Sequence, residues 1–209
     1  MRLLIIDDHK VVRRGLMSII AEEYPDAIFA EAASSQAASE MIYASSWDLV
    51  LLDINIPGRS GLDVLAEIKA IAPETAVIVI SAYPEEDFAV RALKLRAAAY
   101  LTKNCVADEL LLAMRKALAG GRYVTVSLAE KLADALGSDL RAAPHESLSN
   151  RELQVLRLIA VGRSMKEVAA ELTLSEKTIG TYRSRIAEKT GLSTGVELAR
   201  YALQHRLVE

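Results

Sequence analysis

Five short, unbroken apolar runs separated by stretches with helical spacing dominate the first 120 residues and leave few folds open. The runs are LLII (3–6), AIFA (27–30), LVLL (49–52), AVIVI (76–80) and AAYL (98–101). Their length and continuity suit strands buried on both faces of a parallel sheet. Between them, Val11, Leu16, Ile19 and Ile20, and later Val64, Leu65, Ile68 and Ile71, recur at helical intervals. Five β-then-α repeats predict a doubly wound, five-stranded parallel α/β domain over 1–120. Such a sheet binds ligands beyond the carboxyl ends of its strands, where the strand order reverses.

After Gly120-Gly121 the pattern changes. TVSLAEKLADALG (125–137) reads as a helix capped through Ser127 and Glu130, and the polar, Pro-containing GSDLRAAPHES (137–147) reads as a linker. We therefore take 121–147 as a linker carrying one helix. From 148 to 209 every signal is helical. Ser149/Glu152, Ser164/Glu167 and Thr194/Glu197 are capping boxes, Ser175 is a fourth N-cap, and Gly162 and Gly191 stand where helices end. Four short helices follow, and the pair 164–171 and 175–190, joined through Thr173-Leu174, has helix-turn-helix spacing.

Charge follows the same division. Residues 1–120 hold 12 Lys+Arg against 17 Asp+Glu, whereas 148–209 hold 10 against 7, which points the basic end toward nucleic acid. A single cysteine, Cys105, excludes a disulfide framework, and no apolar run approaches the roughly 18 residues that span a bilayer. The start, MRLLIIDDHK, is too short and too acidic for a signal peptide. These features predict a cytoplasmic chain with no membrane partner.

Asp7 and Asp8 follow the first run and Asp53 follows the third, so parallel strands bring three carboxylates to one end of the sheet. Crowded carboxylates need a neutralising cation, and an oxygen-only donor set favours Mg2+. An aspartate beside Mg2+ is placed to become an acyl-phosphate nucleophile. Ser81 and Lys103 end the last two strands, where a hydroxyl and an ammonium would meet phosphoryl oxygens. Any one of these residues alone is an ordinary polar strand terminus; five converging together form a specific constellation.

These residues, with D-I-N-I-P-G-R-S-G (53–61), Ser81-Ala82, Tyr100 and Lys103, make 1–120 resemble the receiver domain of two-component response regulators, which has a flavodoxin-like fold. The resemblance implies that Asp53 accepts a phosphoryl group from a sensor histidine kinase. It implies Mg2+ on Asp8, Asp53 and the Asn55 carbonyl, with Asp7 acting through water, and phosphate contacts from Ser81 and Lys103. It also implies that Tyr100 swings inward when Ser81 moves. Ala97–Ala99 and Asn104 depart from the usual pattern without removing a phosphorylation residue.

The segment L-S-N-R-E-L-Q-V-L-R-L-I-A (148–160), with Gly162, Glu167, Ala169, Leu172, Ser175, Thr178, Ile179 and Lys189, resembles a LuxR-type DNA-binding domain. Together the two resemblances imply a transcription factor of the NarL/FixJ type, a homodimer when phosphorylated, on double-stranded DNA. The residues agree. Ile179, Tyr182 and Ile186 form the inward stripe of helix 175–190. Lys177, Gly180, Thr181 and Ser184 lie on a face able to meet base edges, flanked by Arg183, Arg185 and Lys189 for phosphates, and Thr178 is expected among the DNA-binding residues. Relatives often carry a larger side chain where this chain has Gly180, so base reading here falls more to Lys177, Thr181 and Ser184, or to DNA shape.

Two other classes compete. A magnesium-dependent phosphatase would carry D-x-D on its first strand, whereas this chain has adjacent Asp7-Asp8 there and Asp53 on another strand. The chain is therefore expected not to be an enzyme beyond its own phosphorylation and slow dephosphorylation. A constitutive regulator would not need the intact set Asp8, Asp53, Ser81 and Lys103.

Overall fold

The structure is a computed structural model that describes residues 1–83, 85–105, 107–126, 128–130, 143–205 and 207–208. The chain divides into two compact units, Met1–Gly137 and Ser138–Glu209.

In the first unit the apolar runs form β1 (Arg2–Ile6), β2 (Ile28–Ala32), β3 (Leu49–Leu52), β4 (Ala76–Ser81) and β5 (Ala99–Thr102). Between and after them lie α1 (Lys10–Glu23), α2 (Ser35–Ala44), α3 (Gly61–Ile71), α4 (Glu85–Lys94) and α5 (Ala107–Leu118). All pairings are parallel, and the strand order is β2-β1-β3-β4-β5. Alternation explains why the runs are unbroken. Leu3, Ile5, Leu49, Leu51, Ile78, Ile80 and Leu101 pack with Ile20 of α1 and Leu110, Ala113 and Met114 of α5. Leu4, Ile6, Val50, Leu52, Val77 and Val79 are equally buried and point to the opposite face. The order reverses between β1 and β3, so the ligand crevice of such a sheet opens at their carboxyl ends.

The stretch after α5 packs on this first unit. The Tyr123 N–H donates to the Ala98 carbonyl at 2.8 Å, and the Tyr123 hydroxyl donates to Glu109 at 3.2 Å. Thr125 Oγ1 donates to Glu85 Oε2 at 2.7 Å and accepts from the Leu128 N–H, and Leu128 is fully buried. The helix expected here begins under Thr125; its expected cap Ser127 and all of 131–142 lie outside the described residues.

The second unit opens with a 3-10 turn, Pro144–Ser147, followed by α6 (Asn150–Ala160), α7 (Met165–Glu171), α8 (Glu176–Thr190) and α9 (Gly195–Gln204). Ser149, Ser164 and Thr194 complete capping boxes with Glu152, Glu167 and Glu197, and Ser175 accepts from the Thr178 N–H. Each cap is worth about 1 kcal/mol to a helix too short to stand alone. Gly191 ends α8 in the left-handed conformation at φ 74°. Ile179, Ile186, Leu198 and Ala202 are fully buried in the shared core, which leaves the other face of α8 in solvent. Among the described residues no helix is long and apolar enough to cross a membrane.

Candidate functional site

The parallel register sets Ile6 beside Leu52, so the next residues, Asp7 and Asp53, leave adjacent strands at the same level. The Asp53 N–H donates to the Ile6 carbonyl at 2.8 Å, which continues the ladder to the phosphoacceptor candidate itself. Asp7 and Asp53 are only 2% and 3% exposed, whereas Asp8 is partly open and His9 lies at the surface. Side-chain ligand atoms of Asp7, Asp8, His9 and Asp53 all fall within 4.8 Å of one another.

A single ammonium holds this cluster together. Lys103 Nζ lies 2.6 Å from Asp7 Oδ2 and 2.7 Å from Asp53 Oδ2. Burial pushes the Asp53 carboxyl up to about 6, and Asp7 adds to the rise against the opposing pull of Lys103. For Lys103, burial favours the neutral amine, but the two carboxylates outweigh it and hold the ammonium above the ordinary lysine value. The other Asp53 oxygen, Oδ1, accepts from the Asn55 N–H at 3.1 Å, which sets the Asn55 peptide beside the carboxylate. The residues suit a hard cation: three carboxylates meet here, and Asp8 Oδ1 is shielded from solvent. His9 Nδ1 lies 2.7 Å from that atom and 3.2 Å from Asp7 Oδ1, and its ring is 63% exposed.

Ser81 and Tyr100 meet through a residue the sequence did not single out. Ser81, fully buried, accepts the Tyr83 N–H on Oγ at 3.1 Å. The Tyr100 hydroxyl donates to the Tyr83 carbonyl at 2.8 Å. The backbone of one residue thus connects the Ser81 hydroxyl to the aromatic ring, which is already turned inward and only 1% exposed.

Two further supports also escaped the sequence reading. Arg13, buried on α1, donates to the Asp7 carbonyl at 2.7 Å and to Glu31 at 2.6 Å, fixing the loop that carries both acids. Its place three residues before Leu16 and seven before Ile20 on the inward stripe was the available signal. Gly61 opens α3 against the Asp53 strand end. A Cβ there would lie 2.8 Å from Ile54 Cα and closer still to the Asp53 carbonyl, so the backbone approach requires glycine.

In the second unit α7 and α8 form the expected pair, joined by a turn in which Thr173 has φ 54°. The outward face of α8 carries Lys177, Thr181, Ser184 and Arg185 exposed, with Gly180 between them. Five of the expected contact residues are engaged within the unit, Thr181 and Ser184 with carbonyls of α8 itself. Lys189 Nζ lies 2.6 Å from Glu152 of α6, Arg183 donates to the Ser193 carbonyl at 3.1 Å, and Thr178 Oγ1 lies 2.8 Å from Ser175 Oγ. Arg151, buried on α6, reaches the Leu172 carbonyl at 3.5 Å and so ties the turn to the core.

A parallel sheet ending in a lysine-bridged acidic cluster, followed by a capped helix-turn-helix unit, defines a two-domain phosphorylation-type regulator. Residues 3–115 match the family model described as response regulator receiver domain, and residues 146–202 match bacterial regulatory proteins, luxR family. The chain belongs to the response regulators: a receiver domain joined to a LuxR-type DNA-binding domain, the build of a transcription regulator rather than of a classical enzyme. It is 32% identical over 209 residues to the response regulator GacA of Pseudomonas aeruginosa, covering 100% of this chain and 98% of that one. It is 33% identical over 216 residues to the oxygen regulatory protein NreC of Staphylococcus aureus, with both chains covered fully. Among solved structures, the response regulator ChrA of a heme-sensing two-component system matches at TM-score 0.50 and 30% identity, covering 99% of this chain and 98% of that one. RcsB of Salmonella enterica serovar Typhimurium, solved on promoter rprA with phosphomimetic BeF3−, shares the fold at TM-score 0.62 and 24% identity, over 96% and 98% of the two chains.

Proposed function

We propose that Asp53 is the phosphoacceptor and that its phosphorylation by a sensor histidine kinase in the cytoplasm controls homodimerisation and DNA binding through α8. The observation that carries this reading is the Asp53 carboxylate at a sheet crevice, held between Lys103 and the Asn55 N–H and beside Asp7.

In the reading, an Asp53 carboxylate oxygen forms the new O–P bond as the bond to the donor's leaving group breaks, and the leaving group takes that electron pair. Asp7, Asp8, Asp53 and the Asn55 carbonyl would hold Mg2+, which supplies charge neutralisation at the crowded carboxylates and the phosphoryl oxygens. The Lys103 ammonium, already at Asp53, pairs with the new phosphoryl charge. Ser81 turns its hydroxyl to a phosphoryl oxygen and gives up the Tyr83 N–H. The Tyr83 backbone, whose carbonyl anchors Tyr100, is thereby loosened, so the charge change reaches α4 and β5. The receiver does no other chemistry than this transfer and slow hydrolysis of its product.

On α8, Lys177, Thr181 and Ser184 face base edges and Arg185 reaches phosphate, while Thr178, Arg183 and Lys189 hold the helix in place and border the DNA backbone. Two such units on a repeated half-site supply affinity that one weakly basic unit lacks.

Intact-protein mass after incubation with acetyl phosphate tests the site. Wild type should gain one phosphoryl group only with Mg2+, and Asp53→Asn should gain none. Uptake by Asp53→Asn would remove the assignment.

A further inference from the structure

Gly180 lies in the middle of the exposed face of α8, and the fold gives it no reason to be glycine. It is absent from the positive-φ glycines, which among the described residues are Gly58, Gly120, Gly162 and Gly191. A Cβ built on it meets no atom within 4 Å, whereas one on Gly61 would strike backbone. A glycine within a helix weakens it relative to alanine through the backbone freedom that ordering removes. Gly180 therefore weakens α8 and relieves nothing inside the chain. Gly15 and Gly195 are equally open, but of the three only Gly180 lies on α8, so the room its missing side chain leaves faces what α8 is proposed to read.

The neighbouring side chains indicate what that is. Thr181 Oγ1 donates back to the Lys177 carbonyl at 3.2 Å, and Ser184 Oγ donates back to the Gly180 carbonyl at 3.1 Å. Both hydroxyl protons are committed to the helix. Outward, Ser184 offers an acceptor lone pair, Thr181 a lone pair and a methyl group, and Gly180 bare Cα. In a major groove, small apolar groups meet the thymine 5-methyl, and acceptors meet the exocyclic amines of adenine or cytosine.

We infer that Gly180 is a specificity-determining residue whose missing side chain seats a thymine 5-methyl group of the DNA half-site against the backbone of α8. The inference rests on the proposed role of α8 as the DNA-reading helix. An alanine methyl fills this seat. Gly180→Ala therefore strengthens the fold and weakens selective DNA binding, opposite effects that a merely structural glycine does not produce.

The test uses the full chain treated with acetyl phosphate and Mg2+. Wild type first selects its preferred sequence from randomised duplex DNA. Binding of wild type and Gly180→Ala is then measured on that sequence and on versions with single thymines replaced by uracil, which removes only the 5-methyl. Gly180→Ala should have the higher Tm and bind the selected sequence about tenfold more weakly, a factor that corresponds to 1.4 kcal/mol. For wild type, uracil at one thymine per half-site should weaken binding about fourfold, the worth of one buried methyl. The same replacement should cost Gly180→Ala nothing. Gly180→Ala binding as tightly as wild type, or wild type indifferent to every uracil, overturns the inference while leaving α8 as the reading helix. Failure of wild type to enrich any sequence overturns that role and this inference with it.

Discussion

Lys103→Met removes the one ammonium that bridges Asp7 and Asp53, and the structure gives the size and shape of the loss. Lys103 Nζ makes contacts of 2.6 and 2.7 Å to carboxylates that are 2% and 3% exposed. Removing one partner of such a buried group leaves uncompensated charge, at a cost of about 3–5 kcal/mol. Part of that cost can be escaped by protonation. The Asp53 carboxyl already stands at about 6 through burial, and without the lysine it rises further. A carboxyl raised in the folded state binds its proton more tightly there than in the unfolded chain, so stability falls as pH rises from its unfolded value near 3.8 through its folded value. Losing Lys103 extends that fall to higher pH. The variant should therefore be about 3 kcal/mol less stable than wild type at about pH 8, and the difference should shrink at about pH 5.

Trp47 makes this measurable domain by domain. It is the only tryptophan, lies in the first unit, and is held there by an indole N–H to the Met41 carbonyl at 3.1 Å. Its fluorescence during urea unfolding of the full chain reports the receiver alone. In chelator the variant midpoint should drop sharply. Mg2+ at about 100 times its Kd should restore about 2.7 kcal/mol, because a cation then replaces the missing charge. A midpoint unchanged from wild type in chelator, or an equal loss at both pH values, would refute the claim that Lys103 neutralises this cluster.

Three further outcomes follow from single contacts. Gly61→Ala should cost about 3 kcal/mol, since its Cβ meets the Asp53 and Ile54 backbone, while Gly15→Ala on α1, where a Cβ meets nothing, should stabilise by about 0.5–1 kcal/mol; equal Tm values for the two variants would show that α3 yields freely. Thr173→Gly should stabilise the second unit by about 1 kcal/mol by relieving a β-branched residue at φ 54°, and an unchanged or lower Tm would contradict it. Backbone and hydroxyl donors at the helix caps hold Glu197 down at about 2 and keep Glu167 below its usual value, and Lys189 with Ser149 holds Glu152 down against burial. Because these folded values lie below the unfolded one near 4.5, their stabilisation is full above about pH 4.5 and is lost as pH falls toward 2. Far-UV circular dichroism should show the second unit unfolding in that window, and Glu197→Gln should flatten the slope; a slope identical in wild type and variant would remove the cap as its source.

What was legible in the sequence was local or chemically singular. Apolar runs lengthen without interruption only where both sheet faces are covered, so the strands could be read within two residues, β2 running 28–32 where 27–30 was expected. Serine and threonine caps with a glutamate three residues on announce helix starts by their own hydrogen bonds, and all three boxes formed. Asp7, Asp53, Ser81 and Lys103 stood out because polar residues at strand ends converge by topology alone. What could not be read depends on partners distant in sequence. Lys189 looks like an ordinary surface cation until α8 folds over the α6 cap. Tyr83 carries no side-chain signal at all for this contact, because its backbone N–H and carbonyl do the linking.

The segment after α5 shows how such distant partners change a boundary. By composition it begins a linker at Gly120-Gly121, yet Tyr123 continues the edge of β5 by bonding Ala98, and Thr125 reaches Glu85 at the start of α4. Glu85 stands two residues beyond Tyr83, whose backbone N–H and carbonyl are held by Ser81 and Tyr100. Residues that leave the receiver are thus bonded to the helix that begins beside Ser81 and Tyr100.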